Sequence, residues 1–84
     1  MLQLLDKTHA TTGWVTTAGS KGRLQVQVAG GAHYDIDSSV GTPDDSFEPC
    51  KLAQDSSVNG TFDVSCFTSV RVTLLSGERA RVAL

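Results

Sequence analysis

Ser69-Val-Arg-Val-Thr-Leu-Leu-Ser-Gly-Glu-Arg-Ala-Arg-Val-Ala-Leu84 is the stretch whose reading decides the fold. Apolar residues fall at every second position in Val70, Val72 and Leu74, and again in Ala80, Val82 and Leu84, with Arg71, Thr73, Arg79 and Arg81 between them. That period of two belongs to strands with one buried face. Ser76-Gly77 interrupts the run, so the stretch reads as a hairpin with an inner face of Val70, Val72, Leu74, Val82 and Leu84 and an outer row of arginines. A lone hairpin is marginal in water, so the rest of the chain has to cover that inner face.

Upstream, residues 50–58 and 61–67 flank Asn59-Gly60, a pair suited to a type I′ hairpin turn because both central positions of that turn need φ > 0. A strict hairpin register there would carry Leu52 away from the face of Phe62 and Val64, so either the loop is wider than two residues or, the preferred reading, a bulge within Asp55-Ser56-Ser57 shifts the pairing. Arg23-Leu-Gln-Val-Gln-Val28 alternates without exception, placing Leu24, Val26 and Val28 on one face. After Gly30-Gly31, His33-Tyr-Asp-Ile-Asp37 resumes the alternation with Tyr34 and Ile36 inward. Residues 38–49, with Gly41, Pro43, Asp44, Asp45 and Pro49, form the longest loop candidate. Residues 11–18 suit a pleated surface and include Trp14, a core or interface anchor.

The pattern predicts an all-β protein: a small antiparallel β-sandwich or barrel of about seven short strands with no significant helix. Residues 12–84 read as a single domain, since 84 residues are too few for two cores. Residues 1–11, with Leu2, Leu4 and Leu5, are too short for a stable helix. They read either as an arm that lies on a partner or as an edge strand.

Composition excludes several functions. The net charge is −2 and the seven Lys and Arg are scattered, so the chain carries no electrostatic footprint for nucleic acid. No apolar run approaches the roughly 20 residues of a membrane span, and no secretory leader is recognisable. Cys50 and Cys66 read as free, small, buried side chains in preference to a bridge.

No catalytic constellation is expected. His33, Asp35 and Asp37 share a strand face, but without a metal-binding motif they read as a solvated sheet surface. Neither Cys has a helix or a glycine elbow to activate it beside His9 or His33. Asn59-Gly60-Thr61 matches a glycosylation pattern that the turn explains equally well, and no helix follows Gly30-Gly31 to cradle a phosphate. The chain therefore reads as a non-enzyme with no cofactor and no metal. Arg71, Arg79 and Arg81 form either a solubilising row or a docking stripe for an acidic partner.

Several stretches taken together resemble the small all-β virion proteins of tailed bacteriophages, of the head-decoration or cement type. They are Gly13-Trp14-Val15 leading to Gly22-Arg-Leu-Gln-Val-Gln-Val28, Tyr34-Asp-Ile-Asp-Ser38 before Pro43-Asp-Asp-Ser-Phe47, and Phe62-x-Val64 followed by Ser69-Val-Arg-Val-Thr73 and Ala80-Arg-Val-Ala-Leu84. The likeness spans roughly residues 12–84 and is one of strands and turns. It departs from the pattern at Asp44-Asp45-Ser46, where Asp-Gly is expected, and at the two cysteines. The resemblance implies a structural protein of the virion, made in the host cytoplasm, that binds the major capsid protein or neighbouring virion subunits and bridges them, with a homotrimer suited to three-fold shell positions. Leu2, Leu4 and Leu5 would then form the docking arm, Trp14 an anchor beside it, and Arg71, Arg79 and Arg81 a second contact. Deleting residues 1–8 would leave the domain folded. The alternative is a β-sandwich binding module of a tail or host-surface component, for carbohydrate, which needs an exposed aromatic platform from Trp14, Tyr34 or Phe47.

Overall fold

The structure, a computed structural model, describes all residues 1–84 and is all-β, with eight strands where the sequence suggests seven. They are β1 (Leu2–Asp6), β2 (Val15–Thr16), β3 (Arg23–Ala29), β4 (His33–Ser39), β5 (Cys50–Ser56), β6 (Gly60–Asp63), β7 (Ser69–Ser76) and β8 (Arg79–Ala83). Two four-stranded sheets stack face to face. Sheet I has the order β1-β8-β3-β6, sheet II the order β2-β7-β4-β5, and every neighbouring pair is antiparallel. The pairs β1/β8, β2/β7, β3/β6 and β4/β5 are nested, so the chain is one long antiparallel ribbon whose tip is the loop 40–49. The ribbon is rolled until β8 meets β3 and β7 meets β4. Eight strands rolled in this order make a jelly roll.

This topology corrects both hairpins. β7 and β8 do not pair: the chain leaves sheet II at Ser76 and enters sheet I at Arg79, so Gly77 turns an arch between sheets. Gly77 has φ +85°, and a Cβ on it would stand 2.3 Å from Ala32 Cα, so only glycine fits. β5 and β6 likewise belong to different sheets, and Gly60 does not take the positive φ of a type I′ turn. The bulge expected within residues 55–57 to align β5 with β6 has no such pairing to correct; β5 bulges instead against β4, at residues 54 and 55. Gln54 and Asp55 together oppose Asp35, and Asp55 adopts φ +51°.

The alternating residues meet between the sheets. Leu5, Leu24, Val26, Ala80 and Val82 from sheet I pack against Tyr34, Ile36, Val70, Val72 and Leu74 from sheet II, with Ala32 and Val64 completing the buried cluster. Val28, Phe62 and Leu84, expected inside, lie at its margin. The Tyr34 hydroxyl donates to the Val58 carbonyl at 2.6 Å, satisfying the one polar atom of an otherwise buried ring.

Residues 1–11 take the edge-strand alternative. β1 pairs with β8 over five consecutive positions, and Leu5 is fully buried. β1 is thus an edge strand of sheet I. Cys50 and Cys66 are free, as expected, but both are exposed: Cys50, opposite the inward Ser38, is the first residue of the edge strand β5, and Cys66 lies in the segment between β6 and β7.

Candidate functional site

The seven residues singled out as partner contacts divide among three places. Leu5 points inward and is fully buried, so it is removed from any contact surface. Trp14 and Arg71 lie on the outer face of sheet II, while Leu2, Leu4, Arg79 and Arg81 come together on the outer face of sheet I.

On sheet I the register does the gathering. Leu4 pairs with Arg81, which pairs with Gln27; Leu2 pairs with Ala83, which pairs with Gln25; Asp6 pairs with Arg79. These residues form a nearly continuous outer surface with Leu2 77% and Leu4 50% exposed along one edge. The Arg81 guanidinium donates to Gln27 Oε1, and shallow depressions of about 540 Å³ each lie on either side of that contact. Neither Arg79 nor Arg81 has a carboxylate partner. Gln25 and Gln27 are members of this surface that sequence reasoning left aside. Their outward alternation was visible, but the β3–β8 register was not.

Sheet II presents a closed arrangement. Thr12 extends the ladder beside β7, donating its N–H to the Val72 carbonyl at 3.0 Å, while its hydroxyl accepts from Val72 N–H at 3.1 Å. Gly13, at φ +64°, then turns the chain and brings Trp14 to the sheet. The Arg71 guanidinium lies 4.6 Å from the Trp14 ring centroid and donates to Asp37 Oδ2 from Nε at 3.2 Å and from Nη2 at 2.8 Å. Lys51 Nζ sits 2.8 Å from Asp37 Oδ1 and 3.2 Å from Asp35 Oδ2. The Lys51–Asp37 contact is ionic, without directed hydrogen-bond geometry, so Oδ1 has no directed donor. His33 Nδ1 meets Asp55 Oδ1 at 2.9 Å.

Asp37, 4% exposed, is the centre of this row. Burial pushes its carboxyl up, but Lys51 and Arg71 outweigh that and hold it below its ordinary 3.8. Asp37 in turn holds the Lys51 ammonium above its ordinary 10.5, burial opposes this, and Asp35 adds to the rise. Asp35 and Asp37 on this face therefore belong to an ion-pair network with Lys51 and Arg71, and His33 is hydrogen-bonded to Asp55, where the sequence suggests a plain solvated surface. No group of three His, Cys, Asp or Glu side chains converges with metal-binding geometry.

A third feature lies between the loop 40–49 and sheet II. A cleft of about 730 Å³ is lined by Trp14, Arg71, Phe47, Asp44, Asp45 and Glu48 among others. The three candidate platform aromatics part company: Tyr34 is core, Trp14 is half-buried under Arg71, and Phe47 is 76% exposed at the cleft. Asp44 Oδ1 accepts from Ser46 N–H at 2.7 Å, which holds that carboxyl below its usual range and pins the loop.

Comparison with known proteins adds no relative: no protein-family model matches the chain, and neither a curated protein nor a solved structure matches it. No helix is long and apolar enough to cross a membrane.

Proposed function

We propose that this domain is a structural, non-catalytic virion protein of the capsid-decorating or cement kind, which docks on the major capsid protein or a neighbouring virion subunit through the outer face of sheet I. The observation that carries this reading is the meeting of Leu2, Leu4, Arg79 and Arg81 on one exposed face with no acidic partner of their own. Exposed leucines supply apolar contact, and uncommitted guanidiniums suit a carboxylate-bearing shell surface, where paired N–H donors match carboxylate geometry. Jelly rolls recur among viral capsid domains and lectins, an analogy of fold that agrees with the reading without carrying it. A domain this small also gains stability from each binding event on a repeated surface.

The test is co-sedimentation with heads assembled from the major capsid protein of a tailed bacteriophage. Binding is expected for the native chain and for Arg71→Ala, and is expected to fall at least tenfold for Arg79→Glu combined with Arg81→Glu. Equal binding by all three would sink the assignment of the face.

A second reading, a carbohydrate-binding module of a tail or host-surface component, is supported by the cleft where Phe47 and Trp14 lie beside Asp44, Asp45 and Glu48. Aromatic faces with nearby acceptors are the usual furniture of such sites. Titration with host-surface oligosaccharides, followed by Trp14 fluorescence and repeated with Phe47→Ala, separates the two: saturable binding lost in the variant favours this reading over the first.

A further inference from the structure

Rolling a ribbon into two open sheets leaves four edge strands, and three of them are protected. β2 has two residues and β6 four. β5 carries Lys51, two register shifts and the left-handed Asp55, features that spoil an edge for pairing. β1 is different: its five pairs with β8 run without a shift, it contains no Pro, Lys or Arg, and it exposes Leu2 and Leu4.

The backbone groups that β1 leaves free can be identified. Met1 and Leu84 exchange both hydrogen bonds, Met1 N donating to the Leu84 carbonyl at 2.8 Å and Leu84 N to the Met1 carbonyl at 2.9 Å. In an antiparallel ladder such pairs alternate, so Gln3 and Leu5 bond β8 while Leu2, Leu4 and Asp6 turn their N–H and C=O to the open side. Asp6 agrees with this, because its N–H turns away from β8 and donates to the His9 carbonyl at 3.0 Å. That turn closes the edge at Asp6. Two donors and two acceptors remain, on Leu2 and Leu4, at the spacing of an antiparallel ladder.

We infer that β1 is a self-association edge: two copies pair their β1 strands antiparallel about a two-fold axis at Gln3, joining both sheets I into one eight-stranded sheet. A second copy fits because this register sets Leu2 opposite Leu4 of the second copy and satisfies all four free backbone groups on each side at once. It stops before Asp6, whose N–H is committed, so the only charged side chains of the two strands lie at opposite ends. It brings the exposed leucines of both copies into one apolar cluster. It also opposes Gln3 to its own counterpart, and a carboxamide, donor and acceptor together, complements itself. The pairing is isologous and closes at two copies, where the resemblance to decoration proteins implies three. It shares Leu2 and Leu4 with the proposed docking face, but the two are tested separately, because self-association is measured with the chain alone and docking with heads.

The test is sedimentation equilibrium of the 84-residue chain across concentration. A monomer–dimer equilibrium is expected, with the dissociation constant raised at least tenfold by Leu4→Lys. That side chain is exposed, so an unchanged circular dichroism spectrum and melting curve at dilution verify the fold. Register is read with Gln3→Cys in a Cys50→Ser, Cys66→Ser background, since opposed Cα atoms at a non-hydrogen-bonded pair lie within disulfide reach. This variant is expected to oxidise to a covalent dimer, while Thr16→Cys in the same background stays monomeric. A chain that remains monomeric at all concentrations, forms a trimer, or dimerises equally well with Leu4→Lys overturns the proposal.

Discussion

On the outer face of sheet II the central charges are committed to one another, Arg71 and Lys51 to Asp37 and Lys51 also to Asp35, with His33 hydrogen-bonded to Asp55 beside them. Trp14 lies under the Arg71 guanidinium and screens one side of the row. On sheet I, Arg79 and Arg81 have no carboxylate, and the only polar side-chain contact between its strands is Arg81 to Gln27. Two faces of one small sandwich thus use the same residue type differently. A guanidinium held between a ring and a buried carboxylate is part of the fold, whereas one left to solvent is available to a partner. If so, substitutions on sheet II should register in stability and those on sheet I in association.

The largest effect is expected within sheet I itself, between the two sides of β1. Leu5→Ala empties a fully buried site and should cost about 3 kcal/mol, whereas Leu4→Ala, on the exposed side, should stay within about 0.5 kcal/mol. Urea midpoints of the two variants measure the contrast. The same argument reverses the sequence-based expectation for deletion of residues 1–8. The deletion removes a buried leucine and uncovers the far edge of β8, so it should destabilise the domain severely.

Next in size is Asp37→Ala. It leaves Arg71 and Lys51 without their shared carboxylate, and because both cations keep at least a third of their side-chain exposure, a loss of about 2 kcal/mol is expected instead of the larger cost of a fully buried pair. A pH dependence accompanies it. Asp37 is depressed in the folded state, so the unfolded chain binds the proton more readily, and the stabilisation is present above the ordinary 3.8 and is lost as pH falls below it towards the folded value. Lys51 is raised, so its contribution is complete below 10.5 and is lost as pH climbs through the folded value. The fall in urea midpoint between pH 5 and pH 2.5 should be smaller for Asp37→Asn than for the native chain. Asp6, Asp44 and Asp63, each held low by local hydrogen bonds, supply the slope that remains. An unchanged slope would detach Asp37 from the stability of sheet II.

These contrasts mark how far the sequence could be read. Alternation reports which side of a strand is buried whatever lies opposite it, so Leu24, Val26, Tyr34, Ile36, Val70, Val72 and Val82 were recognisable as core from their spacing alone. Strand pairing was not recognisable. A glycine with positive φ turns an arch as readily as a hairpin, and Ser76-Gly77 carries no mark that β8 returns in the opposite sheet. The nested partners are also remote, with Leu2 opposite Ala83 and Asp37 opposite Arg71. For that reason the arginines could be read as an outward row but not divided into the paired one and the two free ones. The cleft at Phe47 was hidden similarly, since the loop's place over sheet II follows from the roll of the ribbon.

Trp14→Ala comes third. It removes an aromatic surface that is only half-buried and a cation–π contact, together worth about 1 kcal/mol. Thermal melts should show it, and in a double-mutant cycle with Arg71→Ala the two losses should fall short of additive, since each variant removes the same contact.

The smallest stability effect is expected for Arg79→Ala with Arg81→Ala, within about 0.5 kcal/mol, and it is the most informative of the series. Nothing in the fold depends on these guanidiniums: they make no ion pair, and the one hydrogen bond, to Gln27, joins two exposed side chains that water can serve equally well. Their aliphatic stems lie over a sheet already closed by its inner face, so truncation opens no cavity. A measured loss of 2 kcal/mol would mean that sheet I uses its arginines as sheet II does and would erase the distinction between the faces. A neutral stability change combined with a loss of head binding would set folding and docking on opposite sides of the same β8 strand, Val82 and Ala80 inward for one and Arg79 and Arg81 outward for the other.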